Sequence, residues 1–245
     1  MKKRLLLAVL VSVGLILPAF ASPASASHSW GTYHWGRTAN PFTVKYGDNV
    51  TSVWDSYLTT AASDWSSSTV LNMSVVAGTV SNVKQCTAPT GRVEVCNSTY
   101  GFNGWLGIAG ISVSGGHIVS GYTKLNDSYF NTSTYNKPEW RALVTCQEIG
   151  HNVGLAHQDE NNTNANLGSC MDYTNNPLGP PSNTKPNAHD YDQLVAIYGG
   201  HTDSSNTMSS TAPLSGPGKS AIVTGDGHGN NTVIDVFWAP FAPQA

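Results

Sequence analysis

An α+β fold is what the sequence predicts, and three observations carry that expectation. An apolar stripe at helical spacing runs from Val50 to Trp65. Strand-like runs with Gly-rich punctuation follow it. Two more helical segments, near 138–154 and 188–198, come after the strands. No internal repeat interrupts this order, and 245 residues suit one large domain or two small ones.

Taken in order, Phe42 to Tyr46 alternates as a strand does and meets a turn at Gly47-Asp48. Val50, Val53, Trp54, Tyr57, Leu58, Ala61, Ala62 and Trp65 then mark one face of an amphipathic helix. Strand-like runs cover Leu71–Val76, Arg92–Cys96, Trp105–Val113 and His117–Leu125. Pro138 suits a first helical position, and Gly154 suits a left-handed C-cap for the same helix. A last helix spans about Ala188 to Tyr198, with Asn187 as N-cap and Tyr191, Leu194, Val195 and Tyr198 on one face. From 200 the composition changes: His201–Ser220 is rich in Ser, Thr, Gly and Pro and reads as a linker. Thr232–Trp238 reads as one late strand. The expected organisation is one domain over 28–199 with an appendage over 200–245.

Composition narrows the function classes. Charged residues are 11% against 40% hydrophobic, with seven Trp, which excludes a long disordered tail as the main feature. The formal charge of −3 carries no basic surplus, and this argues against a nucleic-acid partner. Lys2, Lys3 and Arg4 precede the apolar run Leu5–Phe20, and small residues follow with Ala-x-Ala at Ala19–Ala21 and Ala24–Ala26. That pattern reads as a secretory signal peptide over 1–26, and the run is short for a membrane span. Cleavage would leave a secreted, extracellular chain without a membrane partner, expected as a monomer, its four Cys in an oxidising compartment.

The segment Cys146-Gln147-Glu148-Ile149-Gly150-His151-Asn152-Val153-Gly154-Leu155-Ala156-His157 carries chemistry. Gln147 and His151, four apart on a helix, share a face. Gly154 lets the chain turn sharply, so that His157 swings back to the same point. Two imidazoles and a third group converging suit zinc, and the neighbouring carboxylate, Glu148, suits a general base.

This segment resembles the metzincin zinc proteases, whose signature is H-E-x-x-H-x-x-G-x-x-H. Ser169-Cys170-Met171-Asp172-Tyr173 resembles the family's Met-turn, a tight turn beneath the zinc. The matrixin branch is the most similar in its order of elements, including Gly107-Ile108-Ala109, over about 34–199. The resemblance implies a secreted zinc endopeptidase acting on peptide or protein substrates. Its fold would be a twisted mixed sheet over an active-site helix, with a small C-terminal subdomain carrying the last helix. The first ligand position holds Gln147 instead of His. Three readings follow: the amide oxygen ligates, it orients a water, or the protein is a non-catalytic binding protein on a metzincin scaffold. Tyr173 stands where the astacin and serralysin branches place a Tyr near zinc, and a packed aromatic fits equally well. Met171 reads as a hydrophobic base for the ligands.

Three disulfide pairings are possible, and locality favours Cys146–Cys170 with Cys86–Cys96. Asp159, Glu160, Asn161 and Asn164 supply oxygens that suit a calcium ion, although loop solvation explains them equally well. His28, His34, His117 and His189 have no partner at ligand spacing and are expected in loops or at the surface.

Overall fold

The computed structural model describes residues 28–203, 222–225 and 230–240. The signal segment expected over 1–26 and most of the Ser-rich stretch 201–220 lie outside these residues. No helix among the described residues is long and apolar enough to cross a membrane.

In chain order the elements are β1 (His34–Trp35), β2 (Phe42–Asn49), α1 (Ser52–Trp65), β3 (Leu71–Ala77), β4 (Val93–Ser98), β5 (Trp105–Ser114) and β6 (His117–Asn126). Then come α2 (Asp127–Phe130), α3 (Pro138–His151), α4 (Ala188–Tyr198), β7 (Ile222–Gly225) and β8 (Asn230–Trp238). One mixed sheet has the order β3-β2-β4-β6-β5-β8-β7, with β1 paired to β6. The β3-β2-β4-β6 half is parallel, and the β6-β5-β8-β7 half is antiparallel. Gly115 and Gly116, at φ +58° and +85°, close the β5–β6 hairpin. Positive φ at both residues of a two-residue loop is a type I′ turn, which matches the strand twist and favours Gly.

α1 buries Trp54, Leu58, Ala61, Ala62 and Trp65, while Val53, on the expected stripe, stands exposed. α3 lies against α1 and the sheet, and every residue from Leu143 to His151 is buried. A helix enclosed on all sides must satisfy its own polar groups and those of its neighbours. The Trp65 indole N–H donates to the Cys146 carbonyl at 3.0 Å, and the Tyr46 hydroxyl donates to the Ile149 carbonyl at 3.0 Å. Arg141 is also buried, with its guanidinium 4.5 Å from the Trp54 ring centroid and a 3.0 Å bond to the Phe130 carbonyl.

α3 ends at His151, three residues before Gly154. The expected end at Gly154 is therefore too long: the chain leaves the helix through turn hydrogen bonds from Val153 to Gly150 and from Gly154 to His151. Gly154 still takes the left-handed conformation, at φ +87°. A Cβ there would sit 2.4 Å from the Tyr33 carbonyl oxygen, so two requirements select glycine. α4 matches its expected bounds, and Asn187 and Asp190 form a reciprocal capping box. The two-residue β1, the single turn α2 and β7 were not among the expected elements. Thr232–Trp238 falls within β8, which extends the main sheet through β5.

Gly150 marks the tightest helix contact. A Cβ there would meet Trp65 Cζ2 at 2.6 Å and Met171 Sδ at 2.9 Å. The indole cannot yield easily, being held by its bond to Cys146. Gly150→Ala is expected to destabilise the fold by about 1–3 kcal/mol through overpacking, lowering the thermal midpoint by roughly 2–10 °C. An unchanged midpoint would show that the α1–α3 interface can open.

Candidate metal centre

The last turn of α3 and the chain just beyond it bring the sequence-expected residues together. His151 and His157 are both buried, and their Nε2 atoms lie 3.1 Å apart. His151 Nδ1 lies 2.8 Å from the Leu155 carbonyl oxygen. His157 Nδ1 lies 3.0 Å from Glu160 Oε1. Both contacts place an N–H on Nδ1, so in the neutral rings both Nε2 lone pairs face the same space. A cation shared by the two nitrogens, a metal ion or a second proton on one ring, removes their repulsion. Around tetrahedral zinc, ligand nitrogens sit about 3.3 Å apart, close to the spacing found here.

Gln147, one helical turn before His151, is fully buried. Its amide nitrogen donates to the Cys170 carbonyl at 2.8 Å, and its oxygen Oε1 accepts no hydrogen bond among the described residues. A buried amide oxygen without a donor is costly unless something electrophilic meets it. The donor set of two imidazoles and one amide oxygen thus fits a zinc ion, with the amide the weaker ligand.

Glu148 is buried beside β5, and Gly107 leaves its space: a Cβ on Gly107 would lie 2.6 Å from Glu148 Cγ and Oε1. Burial, and then the Glu148 carboxylate, push the Tyr122 phenol above its usual range. Residues 28–30 brace the turn after α3. The Trp30 amide donates to the Gly154 carbonyl, the Ala156 amide to the His28 carbonyl, and the Trp30 ring stacks on His151 with centroids 5.1 Å apart.

Beneath the site runs a tight turn from Ser169 to Asp172, closed by the Asp172 amide on the Ser169 carbonyl. The Met171 amide donates to Ser169 Oγ, and the Met171 carbonyl accepts from the Gln158 amide at 2.7 Å. Met171 is buried with its sulfur toward Gly150, as a floor to the helix. Burial raises the Asp172 carboxyl above its usual range, against hydrogen bonds from the Leu167 amide and Asn183 that pull it down. The Tyr173 ring is buried, its centroid 4.4 Å from that of His157. Disulfides join Cys146 to Cys170 and Cys86 to Cys96, as locality favours.

One expectation gains no support and one is corrected. The oxygens considered for calcium hydrogen-bond within their own loop: Glu160 to His157, and Asp159 to the Asn161 amide and the Asn164 side chain. The four isolated histidines are not simple surface residues. His28 is buried, 3.2 Å from Asp190 and stacked on His189. His34 and His117 meet His201 around Asp203. Burial raises the Asp203 carboxyl, but the Arg37 amide, His117 and His34 outweigh it and hold it down at about 2.

No family model and no curated protein matches the chain. Solved structures with a similar layout include myroilysin, at 14% identity and a TM-score of 0.38, with 66% of this chain and 95% of that one covered. Another is high choriolytic enzyme 1, a hatching-enzyme zinc-protease from the medaka fish Oryzias latipes. It shows 12% identity and a TM-score of 0.38, with 68% of this chain and 94% of that one covered. Likeness at that level says nothing about the chemistry of the site, which rests on its own geometry.

Proposed function

We propose that the protein is a secreted zinc-dependent endopeptidase, with His151, His157 and Gln147 as metal ligands and Glu148 as general base. One observation carries the reading: two outward-anchored imidazoles aim their Nε2 atoms at one another, 3.1 Å apart. Zinc bound there supplies Lewis acidity to the scissile carbonyl and to the attacking water. Glu148 takes the proton from that water and passes it to the leaving amine. The Leu155 carbonyl and Glu160 fix the tautomers of the two rings, a task that carbonyls and carboxylates perform behind metal-bound histidines. In this reading Tyr173, packed on His157, stabilises the oxyanion. In this reading residues 28–199 form the catalytic unit, the matrixin-like branch assignment applies, and export follows from the segment 1–26.

A second reading has one observation in its favour. The Gln147 amide is already engaged by Cys170, as a purely structural residue would be. The protein would then be a secreted binding protein that does not hydrolyse peptides.

Metal analysis after dialysis in zinc buffer, paired with a chelator-sensitive peptidase assay, separates the two. The endopeptidase reading requires zinc that is lost in His151→Gln and His157→Gln, together with cleavage that stops on chelation. Metal independent of both residues, or no cleavage of any peptide in a broad library, favours the binding protein. Gln147→His sharpens the test. Imidazole is the better ligand, so zinc affinity is expected to rise on the order of tenfold, about 1.4 kcal/mol. The same change removes the donor to Cys170 and costs about 1 kcal/mol of stability. Equal affinities for the two forms would mean that residue 147 does not touch the metal.

A further inference from the structure

A second convergence of ligand groups lies outside the α3 site and shares no residue with it. His34 on β1 and His117 at the start of β6 are register partners across the two strands. His201 and Asp203 come from the segment directly after α4. Asp203 Oδ1 lies 3.3 Å from His117 Nε2, 3.5 Å from His34 Nε2 and 3.7 Å from His201 Nε2. His34 Nε2 and His201 Nε2 are 3.3 Å apart. His34, His201 and Asp203 thus bring three ligand atoms within 3.3–3.7 Å of one another, near the roughly 3.3 Å separation of donor atoms around zinc, while His117 Nε2 meets only the carboxylate.

The groups are also oriented from behind. His34 Nδ1 lies 2.7 Å from the Thr32 carbonyl oxygen, which places its proton there and leaves the lone pair on Nε2. Asp203 Oδ2 is taken by the Arg37 amide at 3.1 Å and by Arg37 Nη1 at 3.0 Å, so Oδ1 is the oxygen turned to the three rings. Arg37 is itself buried and fixed by the Tyr198 and His201 carbonyls, at 2.6 and 2.7 Å. An imidazole anchored from behind and a carboxylate held from its far side are arrangements found behind metal ligands. A cavity of about 680 Å³, lined in part by Arg37, His117 and Asp203, gives an ion a way in.

We infer that His34, His201 and Asp203 bind a second divalent transition-metal ion, with zinc an ion that two imidazoles and one carboxylate suit. Three protein ligands leave the fourth position to water. The ion ties the segment leaving α4 to β1, an element distant from it in sequence. Arg37 is the positioning residue for the carboxylate.

The test uses the secreted chain without an affinity tag, stripped with chelator, reloaded with zinc, dialysed and analysed for metal. Wild type is expected to hold two equivalents, and His151→Gln/His157→Gln one. His34→Gln/Asp203→Asn is also expected to hold one. Peptidase activity, where present, is expected to survive in His34→Gln/Asp203→Asn and to vanish in the other pair. A wild-type single equivalent that depends on His34 and Asp203 alone would support this site and overturn the α3 ligand set. Metal content unchanged by His34→Gln/Asp203→Asn overturns the second site. Should that variant fail to fold, His151→Gln/His157→Gln serves instead. Zinc at a hundredfold excess over its Kd is expected to raise that protein's melting midpoint by at least about 5 °C, and no rise overturns the proposal.

Discussion

Glu148→Gln is expected to abolish peptide hydrolysis, with a fall on the order of 10²- to 10⁴-fold, while zinc content stays at the wild-type level. The substitution keeps the shape of a side chain that has almost no room to change. Glu148 is fully buried and pressed by the Gly107 backbone of β5. What it removes is the capacity to accept and return a proton. In the proposed site Gln147 and His151 are the ligands and Glu148 is not, so zinc retention and loss of turnover should separate cleanly. The measurement pairs a cleavage assay with metal analysis on one preparation. Zinc lost along with activity would make Glu148 a ligand and would require a different base.

Removing the Cys146–Cys170 disulfide is expected to be the most damaging change to stability. The closed loop follows a sequence separation of 24 residues, and in the loop-entropy model its opening costs about 3 kcal/mol. A functional loss should accompany it. The bridge fixes the helix position next to Gln147 to the turn whose carbonyl holds the Gln147 amide. Without it, the turn carrying Met171 and the helix carrying His151 can drift apart. Cys146→Ser/Cys170→Ser is therefore expected to melt roughly 6–12 °C below wild type and to bind zinc more weakly. A variant that melts lower with wild-type zinc affinity would confine the bridge to a stabilising role.

The parts of the fold legible in the sequence are those whose signals are local. The stripe from Trp54 to Trp65 reports a helix lying on a core, and Asn187 with Asp190 reports where α4 starts. The convergence of His151 and His157 is likewise local, because one helical turn and one left-handed glycine define it. The end of α3 is not legible, for a physical reason. Gly154 suits a helix cap by residue type, but its conformation serves the approach of the Tyr33 carbonyl, three residues past the helix end. Distant pairings were not legible. A two-residue strand such as β1 has no periodicity, so nothing in the sequence brings His34 to His117. Asp203 sits at the start of a stretch that reads as linker by composition, yet Arg37, 166 residues earlier, holds it. The bond from Gln147 to Cys170 is invisible for the same reason: which face of an amide is occupied depends on a carbonyl delivered by another segment.

The pairing of β8 with β5 has a consequence for how copies of this protein treat one another. Without its terminal hairpin the sheet would end at Trp105–Ser114, ten residues long and paired on one side only, with β6. Such a border exposes a ladder of amides and carbonyls that another chain can complete, the usual starting point for edge-to-edge aggregation. β8 occupies that ladder, and β7, which then becomes the border, is only four residues long. A short outer strand offers too few hydrogen bonds to recruit a neighbour. The C-terminal hairpin thus exchanges an adhesive margin for a blunt one. Chains clipped behind Asp203 would be expected to lose solubility as their concentration rises, even with every residue of the proposed metal centre in place.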